Sequence, residues 1–138
     1  MKKLIILFFF CLLFISGGCS DKDEAPEDLI LNQTVWKGIL YNWDDFTKEQ
    51  TNYEILLTFS SEEGGYFNAT DLDSGEEIFK GVSFIYQHDG KQIHVYSLFT
   101  DTLISGYWWI TESTNKKMTL ETFPGTNYSS KMILTKKL

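Results

Sequence analysis

Across residues 30–138, apolar and polar residues alternate with a period of two, and no stretch holds a helical period for three turns. Successive side chains of a strand point to opposite faces, so this pattern belongs to half-buried strands. Eight runs read as strands: 34–43, 53–60, 65–71, 77–87, 92–99, 103–112, 116–123 and 131–136. Turn-forming residues separate them, as in Glu63-Gly64-Gly65, Asp73-Ser74-Gly75, Asp89-Gly90, Ser113-Thr114-Asn115 and Pro124-Gly125. Only residues 43–52 leave room for a longer loop or one helical turn. Parallel neighbours need crossovers of a dozen or more residues, which these breaks do not offer. The chain is therefore expected to be all-β, a single antiparallel up-and-down barrel of about eight strands, because closure leaves no exposed edges.

The alternation also predicts which side chains face inward. Tyr53, Ile55, Leu57 and Phe59 share a face of the second run. Ile78, Val82, Phe84 and Tyr86 share one in the fourth, interrupted by Lys80. Ile93, Val95 and Phe99 oppose His94, Tyr96 and Leu98, while Ile104, Trp108 and Ile110 oppose Tyr107 and Trp109. The expected interior is Trp36, Ile55, Leu57, Phe59, Phe84, Val95, Trp108, Ile110, Leu120 and Leu134.

A tryptophan opens the first strand (Thr34-Val35-Trp36-Lys37-Gly38), a Leu57-Thr58-Phe59-Ser60 strand follows, and the meander ends in Met132-Ile133-Leu134. These features resemble the small lipocalin-like lipoproteins of Bacteroidetes. The likeness spans residues 30–138. Thr34 stands where lipocalins carry a glycine two places before the tryptophan. The resemblance implies a barrel with one open mouth and an apolar lining.

The N-terminus reads as an address. Lys2 and Lys3 precede an apolar run over residues 4–15, and Ser16-Gly17-Gly18 lead into Cys19. That layout is an export signal, and the run is too short to span a bilayer, which needs about 18 apolar residues or more. Gly17-Gly18-Cys19 resembles the end of a bacterial lipoprotein signal, with Ser16 where leucine is usual. The resemblance implies cleavage after residue 18 and lipidation of Cys19, with acyl chains such as palmitate anchoring the protein. Ser20-Asp21-Lys22-Asp23-Glu24 resembles the acidic export signals that carry Bacteroidetes lipoproteins across the outer membrane to the cell surface. A solvated spacer is the alternative for such a charge run, but the expected location is the outer membrane, lipid-anchored and facing the cell surface. The organisation expected is a signal over 1–18, an acidic tether over 19–29 and a barrel domain over 30–138.

Charge excludes one class of partner. Without residues 1–18 the chain keeps 19 acidic residues against 10 lysines, and it has no arginine. A phosphate-binding surface favours the guanidinium fork, so no nucleic acid is expected as partner. With Cys11 in the signal and Cys19 in the anchor, the domain holds no cysteine. Its stability must come from burial and strand pairing, and 18 aromatic residues serve both.

No zinc helix, nucleophile elbow or phosphate-cradling loop is present, so no catalytic residue is expected and the chain reads as a non-enzyme. No cofactor and no metal is expected either. His88 and His94 are the only histidines and cannot form a zinc site alone. Residues 71–77 begin like a calcium loop, but Gly75 comes one place early and Val82 stands where the closing glutamate belongs, so a hairpin turn fits better. Asp44 and Asp45, beside Trp43, either offer acceptors to a polar ligand or solvate a loop. Asp101-Thr102-Leu103 resembles the short O-glycosylation motif of Bacteroidetes exported proteins, with Thr102 as acceptor.

Tyr107-Trp108-Trp109 is the sharpest feature of the domain. With Trp108 inside, Tyr107 and Trp109 face out, and Tyr96 on the neighbouring strand joins them. Tyr96, Tyr107, Trp109 and Trp43 are the candidate binding residues. Such aromatics either contact a partner or pair across strands purely for stability. Two function classes follow for this expected monomer. One is a barrel that holds a small apolar or amphipathic ligand. The other is a surface module that holds glycan or protein on its outer aromatics.

Overall fold

A computed structural model describes residues 29–97 and 103–138. Eight antiparallel strands close into a barrel in sequence order: β1 (Thr34–Asp44), β2 (Glu49–Phe59), β3 (Gly64–Asp71), β4 (Glu77–His88), β5 (Gln92–Ser97), β6 (Gly106–Ser113), β7 (Lys117–Glu121) and β8 (Lys131–Lys136). Each strand pairs with its sequence neighbours, and β8 returns to β1 along the register Gly38↔Leu134. Among the described residues there is no helix.

The expected loop at 43–52 is replaced by strand. β1 runs to Asp44 and β2 starts at Glu49, paired to each other at their tips. The Asp44 carboxylate makes the turn by accepting bonds from the amides of Phe46 (2.8 Å) and Thr47 (3.0 Å). Lys48 takes a positive φ of 59°. Polar Glu49, Gln50, Thr51 and Asn52 hid this extension, because here backbone pairing rather than burial holds the strand. The acidic stretch after β3 is a hairpin turn: the Asp71 carboxylate accepts from the amides of Asp73 and Ser74, and Gly75 sits at φ 72°.

One face assignment changes. Ile78 is exposed and Phe79 turns inward onto Phe67, with ring centroids 5.5 Å apart. The cause is an irregularity in the β3–β4 register between Phe67 and Thr70. Opposite it Gly81 adopts φ 59°, and its amide donates to the Asn68 side chain. A bulge adds one residue to a strand and so reverses the inside–outside parity beyond it. Lys80, which broke the alternation, lies at this irregularity and is exposed. β6 also starts later than expected. Leu103 and Ile104 lie in a turn, yet Ile104 is buried and its carbonyl accepts a 2.8 Å bond from Trp108 Nε1.

The interior holds Trp36, Leu40, Ile55, Leu57, Phe59, Phe67, Phe84, Tyr86, Trp108, Leu120 and Leu134, with Ile110 packed partly buried at its margin. Phe99, expected inside, lies outside the described residues. Phe59 meets Tyr86 and Phe84 edge-on, at centroid distances of 4.8 and 5.6 Å. The strand turns place residues 60–63, 89–91 and 114–116 on one rim of the barrel. Residues 29–33 enter at this rim. Leu29 and Leu31 are buried there, the Thr34 hydroxyl donates to the Leu31 carbonyl, and Trp36 Nε1 donates to Thr34 Oγ1 at 2.8 Å. The indole pair of Trp36 and Trp108 thus fills the core with both N–H groups satisfied, as burial of an amphipathic ring requires.

Trp108 is 1% exposed. Trp108→Ala is expected to lower unfolding free energy by about 3–5 kcal/mol, the usual cost of deleting a buried large aromatic. Urea denaturation followed through the remaining tryptophans measures it. A loss below about 1 kcal/mol would be the cost of a surface change.

Candidate functional site

Strands β4, β5 and β6 carry an apolar and aromatic surface on their outer faces. Strand parity builds it: Ile93, Val95 and Trp108 point inward, so His94, Tyr96, Tyr107 and Trp109 point out. The registers Ile85↔Tyr96, His94↔Tyr107 and Gln92↔Trp109 bring these side chains together across three strands. Tyr107 is 56% exposed, Trp109 45% and Tyr96 39%. Ile85 extends the surface onto β4.

His94 is the part that sequence reasoning missed. The alternation gives it only a side of the fifth run, opposite Ile93 and Val95. Its ring stacks on that of Tyr107, 3.7 Å between centroids and 19° between planes, and lies equally close to Tyr96 at a 44° tilt. The signal available was its placement between two outward tyrosines of adjacent strands, which needs the register to read. The imidazole holds both phenol rings and joins them into one surface. Gln87 and Gln92 supply amide groups at the edges of this surface, through the pairings Gln87↔His94 and Gln92↔Trp109.

At the N-terminal rim the surface runs into a cleft of about 600 Å³. Residues 29–32 form one wall, Glu62 and Glu63 of the β2–β3 turn form another, and residues 85–88 with Tyr96 form the floor. Ile85 and Tyr96 belong to both the cleft and the aromatic surface. A second recess on the same rim, lined by Asn32, Gln33 and residues 60–63, shares its wall. Both recesses lie at the rim, and Tyr86, whose ring packs on Phe59 inside the barrel, also lines the first of them.

The remaining candidates sit elsewhere. Trp43 is on β1, three strands from β6, and does not join the aromatic surface. Its amide donates to Ser130 Oγ at 3.0 Å. Asp44 is committed to its turn, and Asp45 to Lys48, 2.6 Å away. The hydrogen bond and charge of Lys48 hold the Asp45 carboxyl below its ordinary range. The amides of Lys91 and Gln92 do the same for Asp89, fixing the β4–β5 turn. His88 lines the cleft, its ring parallel to that of Tyr86 with 6.2 Å between centroids. Among the described residues no three His, Cys, Asp or Glu side chains are grouped to hold a metal ion. Cys19 and Thr102 lie outside the described residues.

No protein-family model matches the chain, and neither a curated protein nor a solved structure matches it.

Tyr86 ties the cleft floor to its wall. Its hydroxyl donates to the Ser61 carbonyl at 2.7 Å, and its amide donates to the Glu63 carbonyl at 2.8 Å. Burial raises the phenol above its ordinary value, and the Glu62 charge adds to the rise. A phenol raised on folding contributes stability that is complete below its unfolded value of about 10 and is lost as pH climbs through the folded value. Tyr86→Phe is therefore expected to cost about 1 kcal/mol at neutral pH through the lost hydrogen bond. It should also remove part of the alkaline fall in stability. Melting temperatures of parent and variant from pH 7 to 11 should converge at the alkaline end, and parallel curves would contradict the assignment.

Proposed function

We propose that the chain is a cell-envelope lipoprotein whose lipocalin-like barrel is a non-catalytic binding module, and that it holds glycan on the outer surface of β4–β6. The observation that carries this reading is the group of Tyr96, Tyr107 and Trp109 on one outer face, each substantially exposed, with Tyr96 and Tyr107 joined by the His94 ring and Tyr96 also lining a cleft. Large aromatics grouped on a surface mark contact sites rather than solvated wall. A sugar ring lays its C–H face on an aromatic ring, while its hydroxyls need side-chain amides such as those of Gln87 and Gln92. Protein-only docking has less support, because a cleft that carries the carboxylates of Glu62 and Glu63 opens directly off the aromatic surface. Interior binding of a small apolar or amphipathic ligand has less support again, because Trp36, Phe59, Phe84, Tyr86 and Trp108 occupy the inside.

The anchor rests on the Gly17-Gly18-Cys19 ending of the signal, and surface display on the acidic residues Asp21, Asp23 and Glu24. A lipid-anchored monomer at the outer membrane would present this barrel on a tether of about ten residues. Cys19→Ala is expected to shift the protein from the membrane fraction to the soluble fraction of the producing cell. Unchanged fractionation would refute lipidation.

Replacing Tyr107 and Trp109 together by alanine tests the surface. Stability should fall by less than about 1 kcal/mol, as for exposed positions. Binding on a glycan array should drop at least about tenfold, the loss of about 1.4 kcal/mol. A parent silent on the array, with a large drop in melting temperature for the variant, would assign these rings to cross-strand packing instead.

A further inference from the structure

The rim cleft has a chemistry of its own. It has the volume of a small-molecule site, which typically spans about 300–1,000 Å³. One wall is apolar: Leu29 and Leu31 are buried against the barrel, and Ile30 is left 70% exposed at the lip. Glu62 and Glu63 make another part of the lining acidic, beside His88, and among the described residues no lysine lines the cleft. Asn32 is common to this cleft and the adjoining recess. Its Oδ1 is buried and accepts no hydrogen bond. Buried acceptors are almost always satisfied, so this oxygen is short of a donor, and a small turn of the Asn32 side chain toward the cleft would let it take one from outside the chain. The Tyr86 hydroxyl cannot supply it, being spent on Ser61.

We propose that this cleft is a second subsite of the glycan surface, and that it selects neutral or amine-bearing sugars over acidic ones. The inference rests on the glycan reading of β4–β6. One sugar unit stacks on Tyr107 and Trp109. The next crosses Tyr96 and Ile85, which belong to both regions, and its hydroxyl or ammonium group donates to Asn32 Oδ1. The carboxylates of Glu62 and Glu63 accept from further hydroxyls, attract an ammonium and repel a sugar carboxylate. Such repulsion is a specificity device as much as any attractive contact.

Binding of four trisaccharides to the full chain tests this: cellotriose, tri-N-acetylchitotriose, glucosamine trimer and galacturonic acid trimer. At low salt the tightest neutral or amine-bearing trimer should bind at least about tenfold more tightly than the acid trimer, a difference of about 1.4 kcal/mol. Glu62→Gln combined with Glu63→Gln should shrink that ratio to within about threefold. Both residues are exposed on a turn, so folding is not at stake. Asn32→Ala should weaken the trimer and leave the matching monosaccharide unchanged. If the Tyr107 and Trp109 double variant abolishes binding while the Glu62 and Glu63 variant leaves the ratio intact, the cleft is not a subsite and the aromatic surface stands alone. If the parent binds no member of the set, the glycan reading itself falls, and the subsite with it.

Discussion

The seam between β1 and β8 is the contact on which the rest of the barrel depends. β1 is paired along both edges, with β2 on one side and β8 on the other. At Gly38 the two backbones meet so closely that a Cβ would lie 1.8 Å from the Ile133 carbonyl oxygen. Any side chain there would force the strands apart, which makes glycine a steric requirement. Closure then brings the start of β1 beside residues 137–138. The Val35 amide donates to the Leu138 carbonyl, and the Lys137 amide to the Val35 carbonyl. An unclosed sheet of this kind would leave two long edges ready to pair with another chain. Gly65 on β3 meets the Thr58 carbonyl in the same way, so close approach recurs where the wall is tightest.

A closed wall has two consequences for binding. Among the described residues no strand is left without a neighbour on either side, so recognition by this wall has to use side chains. The interior of a small barrel is also just wide enough to be filled by its own side chains. Here the rings of Phe59, Phe84 and Tyr86 pack edge-on, with Trp36 and Trp108 among the largest buried groups. The outer wall and the rim are left to contact anything else. Parity separates the two tasks on β6: Trp108 belongs to stability, and its neighbours Tyr107 and Trp109 belong to the surface. Changes to one set need not disturb the other.

Electrostatics plays a local part. The ion pairs Lys37–Glu54 at 3.2 Å, which is solvent-exposed, and Lys131–Glu121 at 3.9 Å, which is partly buried, are cross-strand contacts, and the exposed type adds little stability. Carboxylates do more as turn formers, where Asp44, Asp71 and Asp89 each collect backbone amides. At the rim Glu62 and Glu63 do neither with their carboxylates in the turn contacts, and they give the cleft its acidic wall.

Most of the barrel was legible in the sequence because strand order, turns and inward parity are short-range properties. The alternation in Tyr53, Ile55, Leu57 and Phe59 needs only the pleat to be read, and short turns force antiparallel neighbours. Outward placement of Tyr107 and Trp109 followed from the same parity. Three things needed the tertiary structure. Gly81 reverses the parity of β4, and no local rule shows that a bulge will form opposite Asn68 rather than elsewhere. His94 joins Tyr96 and Tyr107 only because the β5–β6 register sets it directly across from Tyr107, and register is fixed by the whole closed sheet. The cleft exists because residues 29–32 fold back over the rim, bringing Asn32 beside Glu62 and Tyr86 from distant strands. Sequence spacing determines which face a side chain takes, while closure of the wall decides which side chains meet, since that depends on contacts between residues far apart in the chain.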